Sequence, residues 1–175
     1  MRLIKAFLFG AVGLFIIITL FSLLIPSRVK VSRTVLINNS SPGDIARQVA
    51  YISNWHNWHP LFKSDSTKIY VNNKQEGKKS FTVEYNNKQA EIIFLSTDSN
   101  AVKFTLRTPG ENDIENEILI TPVPSQNNTR VDWIVHNKLK WYPWEKFYGI
   151  FIDKLTGPGY EAALDGLKTY MEKGK

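Results

Sequence analysis

Residues 6–25 read AFLFGAVGLFIIITLFSLLI, twenty positions without a charged side chain. A helix rising about 1.5 Å per residue over that length spans the roughly 30 Å hydrocarbon core of a bilayer. Fourteen of the twenty are Leu, Ile, Phe or Val, and each favours insertion by about 0.3 to 0.6 kcal/mol near a helix centre. The chain is therefore expected to divide into an N-terminal membrane anchor over 1–26 and a single domain over 27–175. A secretory signal peptide is the competing reading. Its apolar region usually covers only about 7 to 15 residues and closes on a small-x-small cleavage site, whereas this run closes on Leu24-Ile25-Pro26-Ser27-Arg28. The flanks do not orient the segment, because Arg2 and Lys5 on one side face Arg28, Lys30 and Arg33 on the other.

Those five cations also explain the net charge. The chain carries +6, with 22 basic and 16 acidic residues, and the first 33 residues hold five of the bases and none of the acids. The remainder is nearly neutral, so the basic balance points to lipid headgroups, which attract near-surface Lys and Arg, and not to nucleic acid. The absence of cysteine excludes disulfides, iron–sulfur clusters, thiolate zinc sites and a cysteine nucleophile.

After Pro26 the pattern becomes mixed. Thr34-Val35-Leu36-Ile37 reads as a first strand. Ser41-Pro42-Gly43-Asp44 opens a helix, with Ser41 as N-cap, Pro42 in the first turn and Asp44 at the capping-box position; Ile45, Val49 and Ile52 give it an apolar face. Period-two alternation follows in Phe81, Val83 and Tyr85, in Ile92 and Phe94, in Val102, Phe104 and Leu106, in Ile114, Ile118 and Ile120, and in Val131, Trp133 and Val135. Turn residues separate the runs at Asn72-Asn73, Asn86-Asn87, Asp98-Ser99-Asn100, Pro109-Gly110 and Ser125-Gln126-Asn127-Asn128. Three- and four-residue spacing then returns in Phe147, Ile150, Phe151 and Leu155, followed by Tyr160, Ala163, Leu164, Leu167 and Met171. Gly157-Pro158-Gly159 predicts a kink or break in this last helix. An apolar sheet face and an apolar helix stripe must bury each other, which makes the expected class α+β: a curved antiparallel sheet wrapped on a long C-terminal helix.

Two segments carry more specific information. Trp55-His56-Asn57-Trp58-His59-Pro60-Leu61-Phe62 resembles the paired-tryptophan segment of the SRPBCC superfamily, the START-like or helix-grip proteins that include the polyketide cyclase/dehydrase-like members. Phe147-Tyr148-Gly149-Ile150-Phe151-Ile152-Asp153-Lys154-Leu155-Thr156-Gly157-Pro158 is similar to that family's C-terminal helix motif. Gly159 departs from it, standing where an acidic residue is usual. The step Ile25-Pro26-Ser27-Arg28 resembles a membrane-anchored bacterial subgroup, which implies the inner membrane and a domain outside the cytoplasm. The resemblance implies a cavity between sheet and helix that holds a hydrophobic small molecule or lipid. It implies no single reaction.

On that basis the candidate ligand-binding residues are Trp55, Trp58, Phe62, Tyr85, Phe94, Phe104, Trp133, Tyr148, Phe151 and Leu155, which fall on expected inward faces or at the rim. Large rings fill an ordinary core equally well. No catalytic residue, metal ligand or cofactor is assigned. His56 and His59 have a three-residue spacing that can serve a metal, but Pro60 argues against a continuing helix, and both read as members of a polar loop. His136 reads as solvent-facing, Asp153 as a capping or ion-paired group, and Glu115 and Glu117 as solvated strand charges. Trp141-Tyr142-Pro143-Trp144 suits lipid headgroups or a lid over the cavity mouth. No Gly-x-Ser-x-Gly elbow, phosphate loop or dinucleotide fingerprint occurs. The leading expectation is an anchored small-molecule binder. A cyclase or dehydratase that polarises a carbonyl with Tyr or His, and a non-catalytic envelope interaction module, stand as alternatives.

Overall fold

The computed structural model describes residues 2–72, 79–124 and 127–173. The apolar run forms α1 (Arg2–Ser22), a helix long and apolar enough to cross a membrane. Its side chains are exposed except in the last turn, where Ser22 is buried. Seven strands follow: β1 (Arg28–Asn38), β2 (Lys68–Asn72), β3 (Ser80–Tyr85), β4 (Lys88–Thr97), β5 (Ala101–Arg107), β6 (Ile114–Val123) and β7 (Asn128–Lys138). Helix α2 (Pro42–Ala50) and two short 3-10 turns, Ile52–Asn57 and Pro60–Lys63, lie between β1 and β2, and α3 (Pro143–Lys173) ends the chain.

All pairings are antiparallel in the order β1-β7-β6-β5-β4-β3-β2. The meander is the expected one, and the local chemistry explains its corners. Asn86 and Asn87, with φ of 48° and 61°, make the two-residue turn between β3 and β4, the left-handed conformation that asparagine tolerates and that matches strand twist. The Ser41 hydroxyl accepts from the Asp44 N–H at 3.1 Å and donates to the Asp44 carboxylate at 2.7 Å, capping α2 as its sequence predicts. Asn73, Ser125 and Gln126, part of two expected turns, lie outside the described residues.

Alternation sets the inner face of the sheet. Val31 and Ile37 of β1, Phe94 of β4, Val102 and Phe104 of β5, Ile118 and Ile120 of β6, and Val131, Trp133 and Val135 of β7 are buried in one core. Helix α3 covers that face, resting mainly on β1.

Two expectations for α3 need correction. No break occurs at Gly157-Pro158-Gly159, and the helix runs through Pro158 for 31 residues. At Gly157 a Cβ would stand 1.9 Å from the Arg33 guanidinium, so the helix passes close to Arg33 of β1 at this point. The second correction concerns facing. The stripe of Phe147, Ile150, Phe151 and Leu155 is expected to face the sheet, yet all four are exposed, Leu155 by 61% and Phe151 by 57%. The first half of α3 buries Lys146, Gly149 and Ile152 instead. A Cβ on Gly149 would lie 2.2 Å from the Leu139 side chain, which shows how closely the small-residue face sits. Periodicity identifies an apolar stripe. It does not say whether that stripe or a narrower face of small residues meets the sheet.

Candidate ligand-binding site

The two 3-10 turns bring an aromatic loop beneath α3. Trp55 and Trp58 are fully buried, and their indole N–H groups donate to the carbonyls of Val49 (2.8 Å) and Gln48 (3.2 Å) at the end of α2. Trp133 rises to meet them from β7, its indole N–H donating to the Asn116 side-chain oxygen at 3.0 Å. All three large rings thus have their polar edge satisfied, which fixes their orientation. Phe62, Phe94 and Phe104 complete the group: ring centroids lie 5.1 Å apart for Trp55 and Phe62, 5.5 Å for Trp55 and Phe104, 5.7 Å for Phe94 and Phe104, and 6.5 Å for Trp58 and Trp133. Tyr160 of α3 closes the cluster 5.2 Å from Trp133.

Six of the ten residues named from sequence, Trp55, Trp58, Phe62, Phe94, Phe104 and Trp133, therefore meet in one place. The other four do not. Tyr85 is half-buried at the end of β3 and makes none of these ring contacts, while Tyr148, Phe151 and Leu155 point out from α3.

His59 corrects the polar-loop expectation. Its ring stacks on Trp55 at 5.6 Å with a 7° interplanar angle and packs on Trp58, Phe62 and Trp133. Burial among these rings lowers its pKa to about 4, because desolvation penalises the imidazolium. The neutral ring accepts the Leu61 N–H on Nδ1 at 3.2 Å, which leaves its proton on Nε2. Tyr160 lies on the other side of Trp133, its hydroxyl pKa pushed up by burial and by Tyr148. Asn137, on the inner face of β7, buries a side-chain amide Nδ2 with no partner among the described residues. His59 and Tyr160, both half-buried, therefore set polar atoms at the edge of the aromatic cluster, while the Asn137 amide lies four residues beyond Trp133 on β7. The signal for His59 is its place between Trp58 and Pro60: Pro60 starts the second 3-10 turn, and the half-buried His59 caps it from the edge of the ring cluster.

The remaining candidates behave as solvated charges. Glu115 pairs with Lys138 at 2.6 Å and Glu117 with Lys103 at 2.9 Å. Asp153 receives both terminal nitrogens of Arg33, at 2.9 and 3.3 Å, and His136 is exposed. Among the described residues no group of three or more His, Asp or Glu side chains could hold a metal ion. An open polar depression of about 500 Å³ lies elsewhere, lined by Asp44, Arg47, Gln48, Tyr51, Ser53 and Asn54.

An antiparallel sheet that grips one long C-terminal helix, with an aromatic loop beneath it, is the START-like helix-grip architecture. The chain belongs to the polyketide cyclase / dehydrase and lipid transport family, whose model matches residues 28–172. Solved structures agree on the fold. A Staphylococcus aureus protein of unknown function has 18% identity and a TM-score of 0.64, covering 84% of this chain and 95% of its own. A START superfamily protein from Mycobacterium smegmatis has 18% identity and a TM-score of 0.60, with 84% and 99% covered. The Zhui aromatase/cyclase from Streptomyces sp. R1128 has 11% identity and a TM-score of 0.63, with 83% and 94% covered. At these identities the likeness concerns the fold. No curated protein matches the chain by sequence.

Proposed function

We propose that the chain is a membrane-anchored protein, with residues 1–26 as anchor and 27–175 as domain, that binds a hydrophobic or amphipathic small molecule or lipid between sheet and C-terminal helix. The supporting observation is the aromatic cluster under α3 with the half-buried, neutral His59 packed on it. An ordinary core gains nothing from a desolvated imidazole, whereas a ligand site needs a few donors set among apolar walls to orient its guest. Nε2 of His59 and the Tyr160 hydroxyl supply such donors to a carbonyl or headgroup oxygen. The rings pack on one another as they stand, so a guest is admitted when the loop over 52–63 parts from the sheet. Apolar burial at about 25 cal/mol per Å² then drives binding. The anchor keeps the site near a membrane source of such molecules, on the outer side of a bacterial inner membrane.

The five tryptophan indole N–H signals of the full chain in micelles test this reading. Titration with N-phenyl-1-naphthylamine and with a long-chain fatty acid should shift the Trp55, Trp58 and Trp133 signals and leave an adduct in native mass spectrometry. Unmoved signals at saturating ligand, with no adduct, would refute it.

The aromatase/cyclase likeness and the pairing of His59 with Tyr160 around Trp133 favour one alternative, an enzyme that polarises a carbonyl for cyclisation or dehydration. It requires turnover of a poly-β-carbonyl substrate that fails in His59→Phe or Tyr160→Phe while ligand affinity survives.

A further inference from the structure

The point where the chain leaves α1 is tied directly to α3. Lys146 is buried in the first turns of α3, and its ammonium donates to the Ile25 carbonyl at 2.8 Å and to the Ser27 hydroxyl at 2.6 Å. The Leu139 N–H donates to the Ser27 carbonyl at 2.8 Å, and Arg28 pairs in register with Lys138. The foot of α1, the start of β1, the end of β7 and the start of α3 therefore form one corner of the molecule.

From that corner runs an apolar face that the described residues leave exposed. Trp144, Phe147, Phe151 and Leu155 follow one another at three- and four-residue spacing and are all exposed, with Tyr148 and Ile150, also exposed, beside them. Trp141, also exposed, stands at the corner itself. The charges nearby suit an anionic surface: Lys154 is exposed on the same helix, and Lys140 lies over the Tyr142 ring at 5.9 Å. The one exposed acid in this part of the helix, Asp153, is engaged by Arg33.

We propose that this outer face of α3 docks on the bilayer, so that the domain reclines on the membrane from which α1 emerges instead of standing clear of it. The proposal rests on the anchor reading above. Trp and Tyr at the corner match the headgroup level, where amphipathic rings concentrate. Phe147, Phe151 and Leu155 would then lie like the apolar face of an interfacial helix, roughly 5 to 10 Å into the headgroup and acyl boundary. An upright domain would carry Leu155 about 16 Å along the helix from Trp144, leaving most of the face in water. Reclining also brings the Tyr148 and Tyr160 side of α3 close to lipid, which gives a guest a short path from bilayer to core. The bilayer is the apolar surface nearest this face, because Lys146 of the same helix holds the chain as it leaves α1 through Ile25 and Ser27.

The chain has no cysteine, so single spin labels can be placed without background. Full chains carrying Phe151→Cys, Leu155→Cys, Thr169→Cys or Phe15→Cys are labelled in nanodiscs of phosphatidylcholine with a minority of phosphatidylglycerol, a single chain per disc. Collisions with oxygen report lipid, and collisions with a nickel chelate report water. Labels at 151 and 155 should match the one at 15, open to oxygen and several-fold protected from nickel, while the label at 169 stays open to nickel. Nickel access at 151 and 155 equal to that at 169, with 15 protected, overturns docking and leaves the anchor intact. Nickel access at 15 overturns the anchor and the docking with it. Protection of 151 and 155 from both reagents means a protein covers them, which also overturns the proposal.

Discussion

Over 143–156, α3 buries Lys146, Gly149 and Ile152 and turns Trp144, Phe147, Phe151 and Leu155 outward; over 157–173 it buries Ala163, Leu164 and Leu167 and turns Glu161, Asp165 and Thr169 outward. One continuous helix thus carries two designs. The second half is the ordinary amphipathic helix of a water-soluble domain, large apolar side chains in and charges out. The first half is apolar on its outer side as well, and packs on the domain through Lys146, Gly149 and Ile152. The lesson is that apolar periodicity marks an apolar face, and in the first half the folded domain leaves that face exposed.

Identical substitutions in the two halves give the largest contrast. Leu167→Ala, at a side chain with 0% exposure, should cost about 2 to 5 kcal/mol in denaturant unfolding of the detergent-solubilised full chain. Leu155→Ala, at 61% exposure, should change stability by less than about 0.5 kcal/mol. Equal losses would show that the outer face is structural and would end the comparison.

The aromatic cluster beneath the second half gives a pH-dependent counterpart. His59 titrates near 6.5 when unfolded and at about 4 when folded, so between those values the unfolded chain binds more protons and stability falls as pH falls. The full loss, complete below about pH 4, is about 3 kcal/mol. The pH 7.5 to pH 4.5 difference in unfolding free energy should therefore be about 2 to 3 kcal/mol smaller in His59→Phe than in the parent chain. An unchanged difference would mean the ring is solvated and not part of the cluster.

Two glycines sharpen the contrast further. A Cβ on Gly166 would meet the Trp58 carbonyl at 2.1 Å, whereas one on Gly159 meets nothing within 4 Å. Gly166→Ala should then cost about 1 to 3 kcal/mol by forcing α3 off the aromatic loop, while Gly159→Ala should stabilise by up to about 1 kcal/mol through helix propensity. Matching signs in thermal unfolding would contradict the close approach seen only at Gly166. The smallest effect belongs to the surface. Asp153→Asn weakens an exposed pair with Arg33 and should cost less than about 1 kcal/mol, an amount that added salt reduces.

Much of this was legible in the chain itself. The Ser41 cap, the Asn86-Asn87 turn and the period-two runs specify their elements by local sterics and hydrogen bonding, and the sheet and covering helix follow because two apolar faces must meet. Six of the ten candidate site residues converge because strand alternation fixes which way Phe94, Phe104 and Trp133 point, and because Trp55, Trp58 and Phe62 share a loop that must pack somewhere apolar. Tyr148, Phe151 and Leu155 were misplaced by the same logic, since a helix with apolar residues on one side and glycines on another has two surfaces able to meet a sheet. His59 was misread because no periodicity governs a loop. Its burial depends on Trp55 and Trp133, 78 residues apart in sequence, closing on it from two sides.

The amino-acid sequence by itself determined the segment able to cross a bilayer, the α+β class, the strand faces and the family, because each rests on local pattern or motif. Only the tertiary structure decided which side of α3 meets β1, that Pro158 leaves the helix unbroken, that Lys146 ties α3 to the foot of α1, and that His59 stands neutral among tryptophans. Those outcomes depend on close approaches between residues far apart in the chain, where an ångström of space beside a glycine outweighs local preference.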